Sequence, residues 1–150
     1  MGLDMYLYKK IYVKNWNHNG TDNYKVEVTK AGKPTNIDPM KVVYVIEEAG
    51  YWRKANQIHQ WFVNNVQDGN DNCGSYWVSR DKLKELLELC NKVLSDKTNA
   101  GEYLPTASGF FFGSTDYDDY YFQDIENTIE IIESCLKDDD ANDFEYSSSW

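Results

Sequence analysis

A chain of 150 residues can bury one sizeable core, and its 41% hydrophobic and 27% charged residues place it among soluble globular domains. A formal net charge of −10, from 25 acidic against 15 basic residues, repels polyanions at long range and argues against general binding to duplex DNA or RNA. A single small anionic ligand held by local donors stays compatible with that charge. The 15% aromatic content, mainly twelve Tyr and five Trp, offers flat faces with polar tips for it.

Residues 3–13, LDMYLYKKIYV, are rich in Tyr, Ile and Val and predict a first strand. No basic and apolar leader opens the chain, and Tyr6 stands where an acylation signal requires Ser or Thr, so neither export nor lipidation is expected. NWNHNGTDN, 15–23, predicts a polar loop. YKVEVTK, 24–30, alternates and predicts a second strand with Val26 and Val28 inward, closed by an AGKP turn. KVVYVIEE, 41–48, predicts a third strand. The three read as an antiparallel meander with one buried face.

Helical periodicity then predicts a helix over 51–66, opened by YWRKANQIHQWF. A second helix is expected from Ser79, a good N-cap with Asp81 in the first turn, and it carries Leu83, Leu86, Leu87, Cys90 and Leu94 on one face. SGFFFG, 108–113, predicts a short buried strand. A third helix is expected from Ser114 or Thr115, where Thr115 and Asp118 resemble a capping box, to about Lys137. KDDDAND predicts a solvated break, and FEYSSSW a C-terminal edge strand. The expected fold is a single α+β domain over 1–150, an antiparallel sheet carrying about three helices on one face, with 138–150 an acidic loop and edge strand.

The three cysteines, Cys73, Cys90 and Cys135, show no metal-ligand or disulfide spacing with each other or with His18 and His59. Cys90 and Cys135 fall on apolar helix faces and read as small hydrophobes, which fits a reducing cytoplasm. Neither a metal nor a cofactor is expected, and no membrane span is present in the sequence pattern.

On a helical wheel, Tyr51, Ala55, Ile58 and Phe62 form a plain core stripe, while Trp52, Asn56, His59 and Val63 form the stripe beside it. Arg53 lies just past that arc. An Arg, an Asn and a His beside an indole at the border of core and solvent form one candidate ligand wall, against the plainer reading that Asn56 and His59 satisfy buried backbone. The second candidate is the turn Gly113, Ser114 and Thr115, whose amides and hydroxyls at a helix start would suit a phosphate or carboxylate. In the following helix Tyr117, Tyr121, Asp124 and Thr128 share one side, so Asp124 faces inward and requires a partner, for which Arg53 and His59 are the best-placed types. A Ser114, His59 and Asp124 set can be written as a hydrolase triad, but no nucleophile elbow supports it, and no catalytic residue is assigned.

MGLDMYLYKK, YWRKANQIHQWF, SGFFFGST and the terminal SSW together resemble a family of small proteins encoded by bacteriophages and prophages. The resemblance spans essentially the whole chain. It implies a bacterial host cytoplasm and an accessory protein acting by binding, in one class by sequestering the nucleotide signals of bacterial immunity. Trp52 or a nearby Tyr would then stack on the base, Arg53 and the Gly113–Thr115 amides would hold phosphate, and Asn56 and His59 would read polar edges. The rival expectations are an acidic inhibitor docking on a basic host defence protein and a small nucleotide hydrolase or transferase. A homo-oligomer is compatible with all three.

Overall fold

The computed structural model describes residues 2–15, 26–139 and 143–150. Strand β1 (Asp4–Tyr12) pairs antiparallel with β4 (Tyr44–Arg53) on one side and with β6 (Asp143–Ser149) on the other. A short strand, β5 (Ser75–Val78), pairs antiparallel with β6, giving the order β4-β1-β6-β5. Helices α1 (Asn56–Asn65), α2 (Arg80–Ser95), α3 (Ala100–Tyr103) and α4 (Asp119–Lys137) complete the domain. It is a single-domain α+β fold on an antiparallel sheet. Within the described residues no helix is long and apolar enough to cross a membrane.

The strand residues divide by alternation. Met5 and Leu7 of β1, Trp52 of β4, Val78 of β5, and Phe144 and Tyr146 of β6 face one way and are buried. They merge with Ile58 and Phe62 of α1, Leu83 and Leu86 of α2, and Ile125 and Ile132 of α4 in one core. At its centre Phe62 stacks on Tyr146 with ring centroids 3.9 Å apart. Cys90 and Cys135 lie in the same interior, where burial pushes their thiols up to about 12 and about 11. They behave as the small hydrophobes that their positions suggest.

The meander is corrected in its strand order. Tyr24 and Lys25 lie outside the described residues, as do 16–23 of the expected polar loop, His18 included. Val26 and Val28 are half-buried and not in a strand. Only Thr29–Lys30 (β2) pairs, with Lys33–Pro34 (β3), across a tip where Ala31 and Gly32 hold positive φ. Both hydrogen-bonding edges of β1 are already taken by the longer β4 and β6. For the same reason FEYSSSW is an interior strand, not an edge.

Two helix starts also move. Tyr51, Trp52 and Arg53 belong to β4, where they pair with Tyr6, Met5 and Asp4, and α1 begins only at Asn56. A periodicity of two in a residue triplet is hidden inside an apparent period of 3.6, and the break falls at Lys54, a non-glycine residue at φ 60°. Residues 109–112 form a turn instead of a strand, with Phe112 N–H donating to the Gly109 carbonyl at 3.2 Å and Phe110 80% exposed. Helix α4 is capped by Asp118, whose carboxylate accepts from Tyr121 N–H at 3.0 Å. By contrast α2 starts where expected, with Ser79 Oγ accepting from Lys82 N–H.

Between Leu7 and Tyr8 the β1–β4 register slips by one residue, so Gly50 faces Leu7 beneath α4. A Cβ on Gly50 would lie 2.5 Å from Cγ2 of Ile131. Gly50→Ala should therefore lower stability by about 1–3 kcal/mol through overpacking. Ile131→Ala in the same chain should restore part of that loss, as a double-mutant cycle in denaturant will show.

Candidate functional site

The β4–α1 corner is the floor of a cavity of about 270 Å³. Arg53 ends the strand and Lys54 makes the turn; Asn56 and Gln57 open α1. The opposite wall is the irregular chain before α4, with Thr106, Gly113, Ser114 and Asp116, followed by Asp118, Tyr120, Tyr121 and Asp124 from the start of α4. Two segments separated by about fifty residues thus share one pocket.

Asn56 builds that wall. Its Nδ2 donates to the carbonyls of Phe112 at 3.1 Å and Ser114 at 2.8 Å, and its Oδ1 accepts from Ala107 N–H at 3.0 Å. Every capacity it spends there goes to backbone that has no helix or sheet to satisfy it. The plainer reading of Asn56 is the one the geometry supports: it shapes the cavity. Gly113, at φ 88°, approaches Lys54 so closely that a Cβ would lie 3.2 Å from Cβ of Lys54. Conformation favours glycine there, and the space beside Lys54 is tight.

The electrostatics are divided. Among the described residues, neither Arg53 nor Lys54 forms an ion pair. Asp124 sits on the opposite wall, where burial raises its carboxyl from 3.8 to about 6, with the Asp118 charge acting in the same direction and a hydrogen bond from Gln57 opposing it. Gln57 is the neighbour that offsets this burial, and no ion pair joins Asp124 to Arg53 or His59 among the described residues. Gln57 also reaches the Tyr121 carbonyl at 3.4 Å. The Tyr121 hydroxyl is itself held by the Leu104 carbonyl at 2.7 Å, so this ring is a fixed wall. Tyr120 is 77% exposed at the rim.

Of the residues expected from sequence, Arg53, Asn56, Gly113, Ser114, Tyr121 and Asp124 line the cavity together, while Trp52, His59, Thr115 and Tyr117 do not. Trp52 points to the other side of β4 from Arg53 and is buried, its Nε1 donating to Thr128 Oγ1 at 2.8 Å. It cannot stack on a ligand without leaving the core. His59 is fully buried, with Nδ1 2.7 Å from the Tyr146 hydroxyl and Nε2 2.9 Å from Asp71 Oδ2. A carboxylate only accepts, so Nε2 carries a proton. Asp71 also accepts from Trp150 Nε1 at 2.9 Å, so this network ties α1, β6, the 66–74 loop and the C-terminus together. The Ser114, His59 and Asp124 triple is taken apart by it.

Thr115 is exposed and gives its carbonyl to Thr106 Oγ1, and the Tyr117 hydroxyl accepts from Thr106 N–H while its ring meets Tyr121 edge-on. The Gly113–Thr115 turn is not a helix N-terminus, since α4 starts at Asp119 behind an aspartate cap. The helix-start argument for a phosphate at this turn therefore does not apply. Lys54, Gln57, Thr106, Asp116, Asp118 and Tyr120 were missed by sequence reasoning. Only Asp118 carried a signal, as the acidic member of the supposed capping box. No group of three metal-ligating side chains occurs among the described residues.

The chain matches no protein-family model, and neither curated proteins nor solved structures give a match. Function is therefore argued from the site itself.

Two outcomes are expected. Asn56→Ala should cost about 1–3 kcal/mol and remove hydrogen-exchange protection at the Ala107 amide, because it strands one buried donor and two acceptors. For Asp124 the folded-state value lies above the unfolded one. The native state thus keeps a proton that the unfolded chain releases, and stability falls as pH rises from about 4 to about 6. Asp124→Asn should abolish that contribution. It should gain about 1 kcal/mol over the parent at pH 7 but not at pH 3.5, allowing for the partial exposure of the carboxyl, as read from paired denaturation curves.

Proposed function

We propose that this protein is a non-catalytic binding protein for a small, nucleotide-like ligand, held in the cavity between the β4–α1 corner and the start of α4. The observation that carries this reading is the pairing of two cationic side chains with no ion pair among the described residues, Arg53 and Lys54, with a desolvated carboxyl, Asp124, across one small cavity. Such a site suits a ligand with an anionic group at one end and amino or hydroxyl donors at the other. Arg53 and Lys54 take the phosphate, in place of the Gly113–Thr115 amides. Asp124 accepts from the polar edge of the ligand. Tyr120, at the rim, offers the ring face that buried Trp52 does not.

The volume is just below the usual range for drug-sized ligands, about 300–1,000 Å³, which favours a small ligand over a polymer. The lining contains Ser114 but no histidine beside it, and Ser114 Oγ is engaged with Asp116 N–H at 3.1 Å. That supports binding over hydrolysis. In the bacteriophage setting implied by the sequence resemblance, the role of such a protein is to sequester a host immune signalling nucleotide in the bacterial cytoplasm.

Calorimetry and melting shifts against a panel of mononucleotides, cyclic dinucleotides and cyclic ADP-ribose derivatives test the reading. One member should bind saturably and be recovered unchanged after long incubation. Arg53→Ala should weaken that binding tenfold or more, whereas Trp52→Phe should alter the melting temperature more than the affinity. Silence across the whole panel, or turnover of the bound ligand, would sink the proposal.

A further inference from the structure

The sheet has a second face that the helices leave open, and its composition is unusual. Cross-strand register places Tyr51 opposite Tyr6, Glu48 and Glu145 on either side of Tyr8, and Trp77 opposite Glu145. Cross-strand partners share a face, so these side chains lie together on the side away from the core. Tyr6 stacks parallel to Tyr8 with centroids 5.9 Å apart and meets Tyr51 at 5.4 Å, while Trp77 is 66% exposed. Ser147 and Ser75 continue the Tyr51–Tyr6 row toward the β5 edge. Small side chains therefore lie between the tyrosines and the strand that carries Trp77.

Each exposed ring has a carboxylate at hand. Tyr51 Oη donates to Asp4 Oδ1 at 2.5 Å, and Trp77 Nε1 donates to Asp143 Oδ1 at 2.9 Å. The hydroxyl of Tyr8 is held above its ordinary range, chiefly by burial and then by Glu48, Tyr6 and Glu145. Lys10 is the cation beside these carboxylates, and Glu145 already neutralises it at 2.7 Å. Arg53 stands at the far end, opposite Asp4.

We propose that this open sheet face is a docking surface for an extended basic segment of a partner protein. Charge complementarity selects the occupant: aromatic faces flanked by carboxylates attract guanidinium and ammonium groups through both cation–π and ionic contact, and the net charge of −10 steers a basic partner toward the molecule. A bare aromatic face with no charge would instead favour apolar association, and an aromatic face ringed by lysines would favour nucleic acid. The rings are spread across the strands from Tyr51 to Trp77, a spacing that an extended chain can span with alternate side chains reaching them. This surface borders the ligand cavity at Arg53, but the rings and carboxylates that carry the proposal lie outside the cavity lining, and it stands independently of the function proposed for the cavity.

The probe is a ten-residue peptide of alternating Arg and Ser, titrated into the ¹⁵N-labelled full chain at low salt. The expected result is saturable shift of the Tyr6, Tyr8, Glu48 and Tyr51 amides and of the Trp77 indole N–H, weakening as salt is raised. Trp77→Ala should reduce affinity at least tenfold. The Glu48→Gln/Glu145→Gln variant, which keeps every ring and is checked for an unchanged melting temperature, should do the same. Asp124→Asn should leave peptide binding unchanged, so that a failure of the cavity reading and a failure of this one stay distinguishable. Four results would overturn the proposal: no binding; shifts spread over the acidic helix surfaces instead of the sheet; the same residues responding to a neutral glucose hexasaccharide and not to the peptide; or the same residues shifting on dilution of the protein alone, which would make the face a contact between two copies.

Discussion

One carboxamide holds the cavity together. Asn56, in the first turn of α1, satisfies two carbonyls and one amide of the irregular chain between α3 and α4. That connection is fifteen residues long, from Leu104 to Asp118, and has no regular secondary structure to absorb its polar groups. An exposed loop would give them to water. Here they are given to a side chain that is itself buried, so the loop is drawn onto the β4–α1 corner and a pocket forms between them. Asn56 can do this only because β4 ends at Arg53 and turns sharply through Lys54, which brings the first turn of α1 against the sheet edge.

The same corner separates two chemistries. Alternation along β4 sends Trp52 into the core and Arg53 outward. The indole then finds Thr128, whose hydroxyl donates in turn to the Asp124 carbonyl at 2.6 Å. The residue that displays its carboxyl to the cavity is thus anchored by its backbone to the core beneath. His59, one turn along α1 from Asn56, does comparable work on the other side by joining Tyr146 to Asp71. A buried polar network of this kind makes the packing specific, since every member loses a partner if one element shifts.

The open sheet face and the cavity use acidic residues differently. On the sheet, carboxylates remain beside aromatic rings with solvent access, and their charge is a long-range property. In the cavity, burial holds the Asp124 carboxyl near the physiological border of ionisation, and its charge is a local one. An acidic chain can therefore repel nucleic acid as a whole and still present Arg53 and Lys54 to one small anion.

Much of the fold was legible in the sequence. The Ser79 cap, the Leu83–Cys90 face and the 3–13 strand each rest on local periodicity and local hydrogen bonding, which short windows contain. The α+β class and the presence of Arg53, Asn56, Gly113 and Asp124 in candidate walls followed from the same patterns. What the residues could not reveal was which partner each backbone edge would take. Tyr51–Arg53 fit a helix wheel, yet pair with Asp4–Tyr6 of β1, far upstream in the sequence, because that strand offers hydrogen bonds that a helix start does not. Lys54 at positive φ carries no glycine to mark the turn. His59 and Asn56 looked like ligand donors because their true partners, Asp71, Tyr146, Ala107 and the 112–114 carbonyls, are brought to them only by the packed fold. The sequence by itself determined the kinds of groups available and the faces they would occupy within each element. Tertiary structure alone decided which of those groups are consumed in holding the chain together and which, Arg53 and Lys54 among them, line the cavity with no ion pair among the described residues.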